Sequence, residues 1–129
     1  EIDEGLVPAL LAYDRPLNPA PRETFLRCWL RQTATRRGVA CVEGGKVRGY
    51  GVVRECRAGH KIGPLFADSA EIADGLFRAL AAGKATTEVF LDLPLPNTAA
   101  IFETGRMYRG GAPDLPLDRI FGITTFELG

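Results

Sequence analysis

The chain has 129 residues, 46% of them hydrophobic, which is the size of one domain with a single packed core. Its 16 basic and 16 acidic residues cancel, so no strong net field would attract nucleic acid or an anionic membrane. The three cysteines form no CxxC pair and there is one histidine, which excludes the usual zinc spacings and indicates thiols in a reducing compartment.

No apolar run is long enough to span a membrane, and the acidic first residues, Glu1 to Glu4, do not resemble a signal peptide. If this is the natural N-terminus, we expect a cytoplasmic protein. The composition predicts no metal site, no nucleic-acid partner and no membrane partner.

The first 20 residues do not resemble the start of an independent domain. They contain three prolines and little hydrophobic periodicity, which is typical of a linker or of a short helix from a preceding domain. From Pro21 the pattern changes to one with a single apolar face, and we expect a helix over Arg22–Gln32. Residues 21–129 are therefore expected to form one domain.

Two β-prone stretches follow this helix. They read "GVACVE" and "KVRGYGVVREC" and flank Gly44-Gly45, a pair that favours a tight hairpin. A third apolar strand, Lys61 to Phe66, comes after a short loop. Three consecutive antiparallel strands are the simplest interpretation.

A strongly amphipathic helix comes next and is expected to end at Gly83. Three further β-like stretches follow it, "TEVFLDLP", "FETGRMY" and "RIFGITTFEL". The periodicity predicts one core made of Ile62, Leu65, Ile72, Leu76, Phe77, Leu80, Val89 and Leu91. The fold class is thus mixed α/β (α+β).

Four stretches, "GYGVVRECRAGHKIGPLFAD", "LDLPLPN", "FETGRMYRGG" and "IFGITTFELG", resemble the GNAT-type N-acyltransferases. The similarity is greatest to the C-terminal half of bacterial proteins with two such domains in tandem. It implies a mostly antiparallel mixed sheet with flanking helices, in which residues 21–129 form a C-terminal acyltransferase domain. In this family the fourth strand leads into the helix that receives the coenzyme A pyrophosphate, and a fifth strand diverges beside it.

The resemblance also implies an activity, the transfer of an acyl group from acetyl-CoA, a cosubstrate, to a small-molecule or peptide amine. An N-terminal GNAT domain would be its partner within the protein. Acetyl-CoA would lie against five residues at the end of the third strand and the start of the next helix. They are Leu65, Phe66, Ser69, Ala70 and Glu71.

This junction departs from the family's phosphate loop, because "FADSAE" replaces a Q/R-x-x-G-x-G/A pattern and contains no glycine. Asp68 and Glu71 match a capping box, in which carboxylates take the N–H groups that a pyrophosphate would need. Pro64 has no N–H to offer to the pantetheine arm. A pyrophosphate site and a structural helix cap both remain open, and the cap is favoured. In the cap, Asp68 or Ser69 would accept the N–H of Glu71 or Ile72.

An acyl transfer needs a base for the ammonium and often an acid for the thiolate. Spacing singles out no residue for either role, so the catalytic residues are unknown from the sequence. Asp92 and Tyr108 are weak candidates, and Asp92 would need a partner such as Arg54, because it closes an apolar strand. The other ionisable candidates are Glu55, His60, Glu103 and Tyr50.

The family places another helix after an N-x-x-A stretch, which here is Asn97 to Ala100 and runs directly into Ile101. Either that helix is deleted in this protein or the printed chain omits a segment between Ala100 and Ile101. We favour an omission, since so short a connection could not easily cross the sheet. We therefore expect a break between Asn97 and Phe102.

Three hypotheses of function follow from these observations. The first is a GNAT-type N-acetyltransferase, in which this domain supplies part of the active cleft. The second is a non-catalytic GNAT-like half that shapes the acceptor pocket of a catalytic N-terminal domain. The third is a small-molecule sensor. A homodimer could form through an exposed sheet edge, and the acceptor amine cannot be derived from a motif.

Overall fold

In a computed structural model, residues 1–83, 88–94, 109 and 111–125 are described. They form a five-stranded sheet with helices on both faces, which confirms the mixed α/β fold class. The elements in chain order are α1 (Val7–Asp14), α2 (Glu23–Trp29), β1 (Arg36–Glu43), β2 (Lys46–Glu55), β3 (His60–Ala67), α3 (Ala70–Ala81), β4 (Val89–Leu91) and β5 (Ile120–Gly122).

The first three strands form the predicted antiparallel meander. β1 and β2 are joined by Gly44 and Gly45, whose φ angles of +57° and +74° lie in the left-handed region that a tight hairpin turn requires. β2 in turn pairs with β3 over six positions. The hairpin signal in the sequence is therefore confirmed.

The second edge of β3 has two partners. Its first residues, His60 to Ile62, pair in parallel with β4. Further along, Leu65 and Phe66 pair in antiparallel fashion with β5. A single strand edge thus holds two segments of the chain end to end.

One core cluster lies between the sheet and α3. It contains all eight core residues that the periodicity predicted, some of them fully buried and others partly buried around the cluster. α3 begins after Ser69 and ends before Gly83, whose φ of +77° suits the end of a helix. The amphipathic pattern of the sequence therefore predicted this helix and its buried face.

A second core cluster covers the opposite face of the sheet, because alternate side chains of a strand point to opposite sides. Leu10 of α1, Leu26 of α2 and Ile120 of β5 are buried there against Tyr50 and Phe66. The segment before residue 20 contains the predicted short helix, and this helix packs on the sheet. The division of the chain at residue 20 stays a prediction.

α2 is shorter than the predicted helix over Arg22–Gln32. It ends at Trp29, where the guanidinium of Arg36 lies 5.1 Å from the Trp29 ring centroid and donates to the carbonyl of Cys28 at 2.9 Å. A cation at this end of a helix is favourable for its dipole. The predicted strand "FETGRMY" and the break expected between Asn97 and Phe102 lie outside the described residues.

Candidate functional site

The junction between β3 and α3 is closed by a helix cap. The side-chain oxygen of Ser69 accepts the N–H of Ile72 at 3.4 Å, and its carbonyl accepts the N–H of Ala73 at 3.0 Å. Hydrogen bonds from the Ser69 side chain and from its own backbone N–H lower the pKa of the Glu71 carboxyl. The predicted cap is confirmed with Ser69 as the capping residue.

The expected capping box with Asp68 is wrong, because the Asp68 side chain turns away from α3. Its carboxylate accepts hydrogen bonds from Tyr13 Oη at 2.9 Å, Arg48 Nη1 at 3.1 Å and Arg119 Nη2 at 2.8 Å. We call these four residues the Asp68 cluster. Arg48 also lies 3.7 Å from the carboxylate of Glu43, so the two guanidinium groups of this corner are balanced by two carboxylates.

Tyr13 is the member of the Asp68 cluster that lies on α1, and it is partly buried. Burial raises its pKa to about 12, and the nearby Arg119 guanidinium opposes part of this shift while Asp68 adds to it. The Arg119 guanidinium also lies 4.9 Å from the Tyr13 ring centroid, which is a cation–π distance. At neutral pH the phenol is therefore a neutral donor.

The five residues assigned to acetyl-CoA fall into two groups. Leu65 and Phe66 are buried on opposite faces of the sheet, so their side chains belong to the two core clusters. Ser69, Ala70 and Glu71 form the start of α3, where Ala70 and Glu71 are exposed. Their assignment to the cosubstrate stays a prediction.

The edge of β3 beyond Ile62 is covered by the chain itself. β5 pairs with this edge, and the N–H of Ile123 donates to the carbonyl of Asp92 at 2.9 Å, just beyond β4. A Cβ atom at Gly63 would lie 2.4 Å from the Ile123 carbonyl oxygen and 2.7 Å from that of Thr124. Glycine at this position therefore permits the close approach of the two segments.

A buried polar network lies on the α1 side of β5. It consists of Asp14, Asn18, Arg22, Tyr50 and Thr124, and we call it the Asp14 network. The Asp14 carboxylate, 3% exposed, accepts from Tyr50 Oη, from Asn18 Nδ2 at 3.0 Å, and from Arg22 Nε at 2.9 Å and Nη2 at 2.6 Å. Arg22 Nη1 then donates to Thr124 Oγ1 at 2.7 Å.

Tyr50 is fully buried and its pKa is raised well above its ordinary value, first by burial and then by the charge of Asp14. The Arg22 guanidinium opposes part of this shift. The Tyr50 hydroxyl, one of the candidate proton donors of the sequence, is thus held neutral and donates to Asp14. Its observed contacts are those of a structural group.

Asp92 lies at the end of β4 with its side chain 10% exposed, and it forms an ion pair with Lys61. The prediction that Arg54 is the partner of Asp92 is wrong. Arg54 lies on β2, one strand farther away, and donates to the sulfur of Cys56 at 3.3 Å. Lys61 is adjacent because β3 and β4 are parallel neighbours. A catalytic role for Asp92 stays a prediction, and Tyr108 and Glu103 lie outside the described residues.

His60 and Glu55 are brought together, but at the other end of β3. They are cross-strand neighbours and line a cleft of about 310 Å³ with Arg36 and Arg37. His60 is the first residue of the eight-residue strand β3 and α3 follows the other end of that strand, so the two lie roughly 25 Å apart. These candidate residues therefore do not share a site with Ser69.

Within the described residues, no three His, Cys, Asp or Glu side chains are grouped as they would be around a metal ion. Nor does any helix found there have the length and apolar character needed to cross a membrane.

Comparison with known proteins gives one family and one curated relative. Residues 10–122 match the family described as an acetyltransferase (GNAT) domain. The chain is 30% identical over 132 residues to the holothin acyltransferase of Pseudoalteromonas sp. (strain SANK 73390). The alignment covers 93% of this chain and 45% of the relative, so the chain spans less than half the length of that protein. No solved structure matches the chain.

Proposed function

Because this chain belongs to the GNAT acetyltransferase family, we propose that it is the C-terminal domain of an N-acyltransferase that uses acetyl-CoA. The observation that carries the proposal is the arrangement of β3, which leads directly into α3 while β4 runs parallel to its first half. The tandem organisation and the amine acceptor belong to the same proposal. Holothin, named in the relative, is the first acceptor to test.

The described residues do not fit acetyl-CoA as they stand. The edge of β3 that an extended ligand would join is paired with β5, and the cap on α3 takes the Ile72 N–H. Arg48 and Arg119 have the charge to bind phosphate, but both donate to Asp68. We therefore derive no catalytic step from this arrangement.

The poor fit between the described residues and acetyl-CoA favours a second candidate function. A GNAT-like half whose strand edge is filled could pack on a catalytic N-terminal domain and shape its acceptor pocket without binding acetyl-CoA. This hypothesis differs from the first in one measurable property, the affinity of the chain for acetyl-CoA.

The test is calorimetric titration of the chain with acetyl-CoA at low salt, for the wild type, Asp68→Asn and Asp114→Asn. Asp68→Asn removes a negative charge beside α3 and takes the carboxylate partner from Arg119, while Arg48 keeps Glu43 at 3.7 Å, so the proposed function predicts tighter binding than in the wild type. Asp114 is an exposed carboxylate and serves as the matched control, with no change expected.

Absence of binding by all three proteins would favour the non-catalytic half. Transfer itself is measured on the complete protein, as the release of free coenzyme A in the presence of holothin and other amines. No release with any acceptor would contradict the proposed activity.

A further inference from the structure

The last described strand fills the edge of β3 at the point where β3 and β4 separate. We propose that residues 120–124, which we call the plug, are a displaceable strand that closes this edge to the pantetheine arm of acetyl-CoA. The inference rests on the proposed function and adds to it a conformational step. Cosubstrate binding would require the plug to leave β3.

Apart from Pro64, which has no N–H, the edge of β3 that the plug covers has backbone groups that can bind such a ligand. An open strand edge presents backbone N–H and C=O groups, and extended chains with amides bind by adding to it as a further strand. The pantetheine arm is an extended chain with two amides. Since β4 pairs with β3 only through Ile62, the plug supplies the partner over Leu65 and Phe66.

The plug is held by few backbone contacts. It pairs with β3 at two positions, whereas β2 pairs with the other edge of β3 at six. Gly122 lies within the plug and contributes no side chain to the core. Ile120 and Thr124 of the plug are buried, so its displacement exposes these side chains as well as breaking the short ladder, and cosubstrate binding must offset that cost.

Polar contacts tie the plug and its flanking residue to three different parts of the domain. Arg22 Nη1 donates to Thr124 Oγ1, the Ile123 N–H donates to the Asp92 carbonyl, and Arg119 donates to Asp68. Arg119 directly precedes the plug, so displacement of the plug would also loosen the Asp68 cluster. Displacement of the plug would therefore open the edge of β3 and free the Arg119 guanidinium beside α3 in the same step.

The edge of β3 beneath the plug can accommodate either the plug or the pantetheine arm. Gly63 has no side chain, and this is what allows the Ile123 and Thr124 carbonyls to lie against β3. When the plug leaves, no side chain of residue 63 blocks the vacated edge. A Cβ atom at Gly122 would lie 2.5 Å from Leu91 Cδ1 and 3.2 Å from Leu65 Cβ, so alanine there would crowd and weaken the packing between the plug and its neighbours.

The first experiment follows hydrogen exchange of the wild-type chain by mass spectrometry, with and without saturating acetyl-CoA. We expect exchange in a peptide spanning residues 117–125 to accelerate at least threefold when acetyl-CoA binds. A peptide from β2, residues 46–55, is the internal control and should not change. Saturating binding without faster exchange in residues 117–125 overturns the inference.

The second experiment measures acetyl-CoA affinity after weakening the plug. Thr124→Val removes the acceptor of the Arg22 hydrogen bond and should raise the apparent affinity roughly tenfold, since a hydrogen bond to a charged group is worth about that factor or more. Thr24→Val, on the exposed side of α2, is the matched control. Gly122→Ala should act in the same direction as Thr124→Val, with Gly75→Ala as its control.

The outcomes separate this inference from the proposed function. If the affinity for acetyl-CoA is unchanged in both plug variants, or if neither variant binds acetyl-CoA, the inference that the plug is displaceable is wrong. If the complete protein transfers acetyl groups while hydrogen exchange in residues 117–125 stays constant, the inference about the plug is wrong and the proposed activity is retained. If hydrogen exchange accelerates as expected but no acceptor is acetylated, the proposed activity is wrong and the inference about the plug is retained.

Discussion

Replacing Asp14 with alanine tests how far the Asp14 network stabilises the domain. The carboxylate is 3% exposed and its partner Arg22 is 13% exposed, so the substitution leaves a buried guanidinium without a counter-charge. Breaking a buried pair in this way costs about 3–5 kcal/mol. The hydroxyl of Tyr50 also loses its acceptor, which places the expected loss toward the upper part of that range.

The loss is large relative to the total stability of a domain, about 5–15 kcal/mol. With a urea m-value of about 1.5 kcal/mol/M, a loss of about 4 kcal/mol lowers the unfolding midpoint by roughly 2.7 M. Unfolding can be followed by fluorescence of Trp29, the one tryptophan of the chain, which donates to the Gly63 carbonyl on β3.

Asp74→Ala is the matched control. Its carboxylate is 56% exposed and pairs with Arg78 one turn along α3, a contact worth about 0.3–0.5 kcal/mol. The double variant Asp14→Ala with Arg22→Met should be more stable than Asp14→Ala alone, because no charge is left buried. A loss below about 1 kcal/mol in Asp14→Ala would refute the reasoning.

Three further predictions concern single side chains. Gly75→Ala should raise the free energy of unfolding by about 0.5–1 kcal/mol, because the site is an exposed helix interior with no atom within 4 Å of the added Cβ; a lower melting temperature would contradict this. Ser69→Ala should cost about 1 kcal/mol in urea unfolding through the lost cap, and an unchanged midpoint would show that Ser69 does not cap α3. Since folding raises the pKa of Tyr13 from 10.0 to about 12, its contribution to stability is complete below pH 10 and declines as the pH rises from 10 to 12. Circular dichroism should therefore show a smaller alkaline loss for Tyr13→Phe than for the wild type, and equal losses would contradict the prediction.

Local sequence patterns predicted most of the fold. The Gly-Gly pair between two β-prone stretches specified the hairpin, because few other residues adopt positive φ at two successive positions. The helical spacing of Leu76 and Leu80 specified the buried face of α3. These signals are contained within short windows and depend little on distant residues.

The polar contacts near the end of β3 could not be predicted in the same way. The partners of Asp14 include Tyr50, and through Arg22 the network reaches Thr124, 102 residues further along the chain. No spacing rule connects positions so far apart. The partner of Asp92 was wrong for the same reason, since adjacency to Lys61 depends on which strands are neighbours.

The pairing of β5 was also beyond the reach of the sequence patterns. An apolar stretch near the C-terminus predicted a strand, but alternation of side chains does not specify the edge that a strand joins. The family resemblance supplied the order of the elements and not this contact.

The sharing of one edge of β3 by two segments has a consequence for the order of folding. β1, β2, β3 and α3 are consecutive and pair with near neighbours, whereas β5 pairs with residues more than 50 positions earlier in the chain. Contacts between distant positions carry the larger loop-closure entropy, so we expect β5 to dock after the meander and α3 have formed. In a φ-value analysis, substitutions in the β1–β2 hairpin should slow folding, and those at Ile120 should mainly accelerate unfolding.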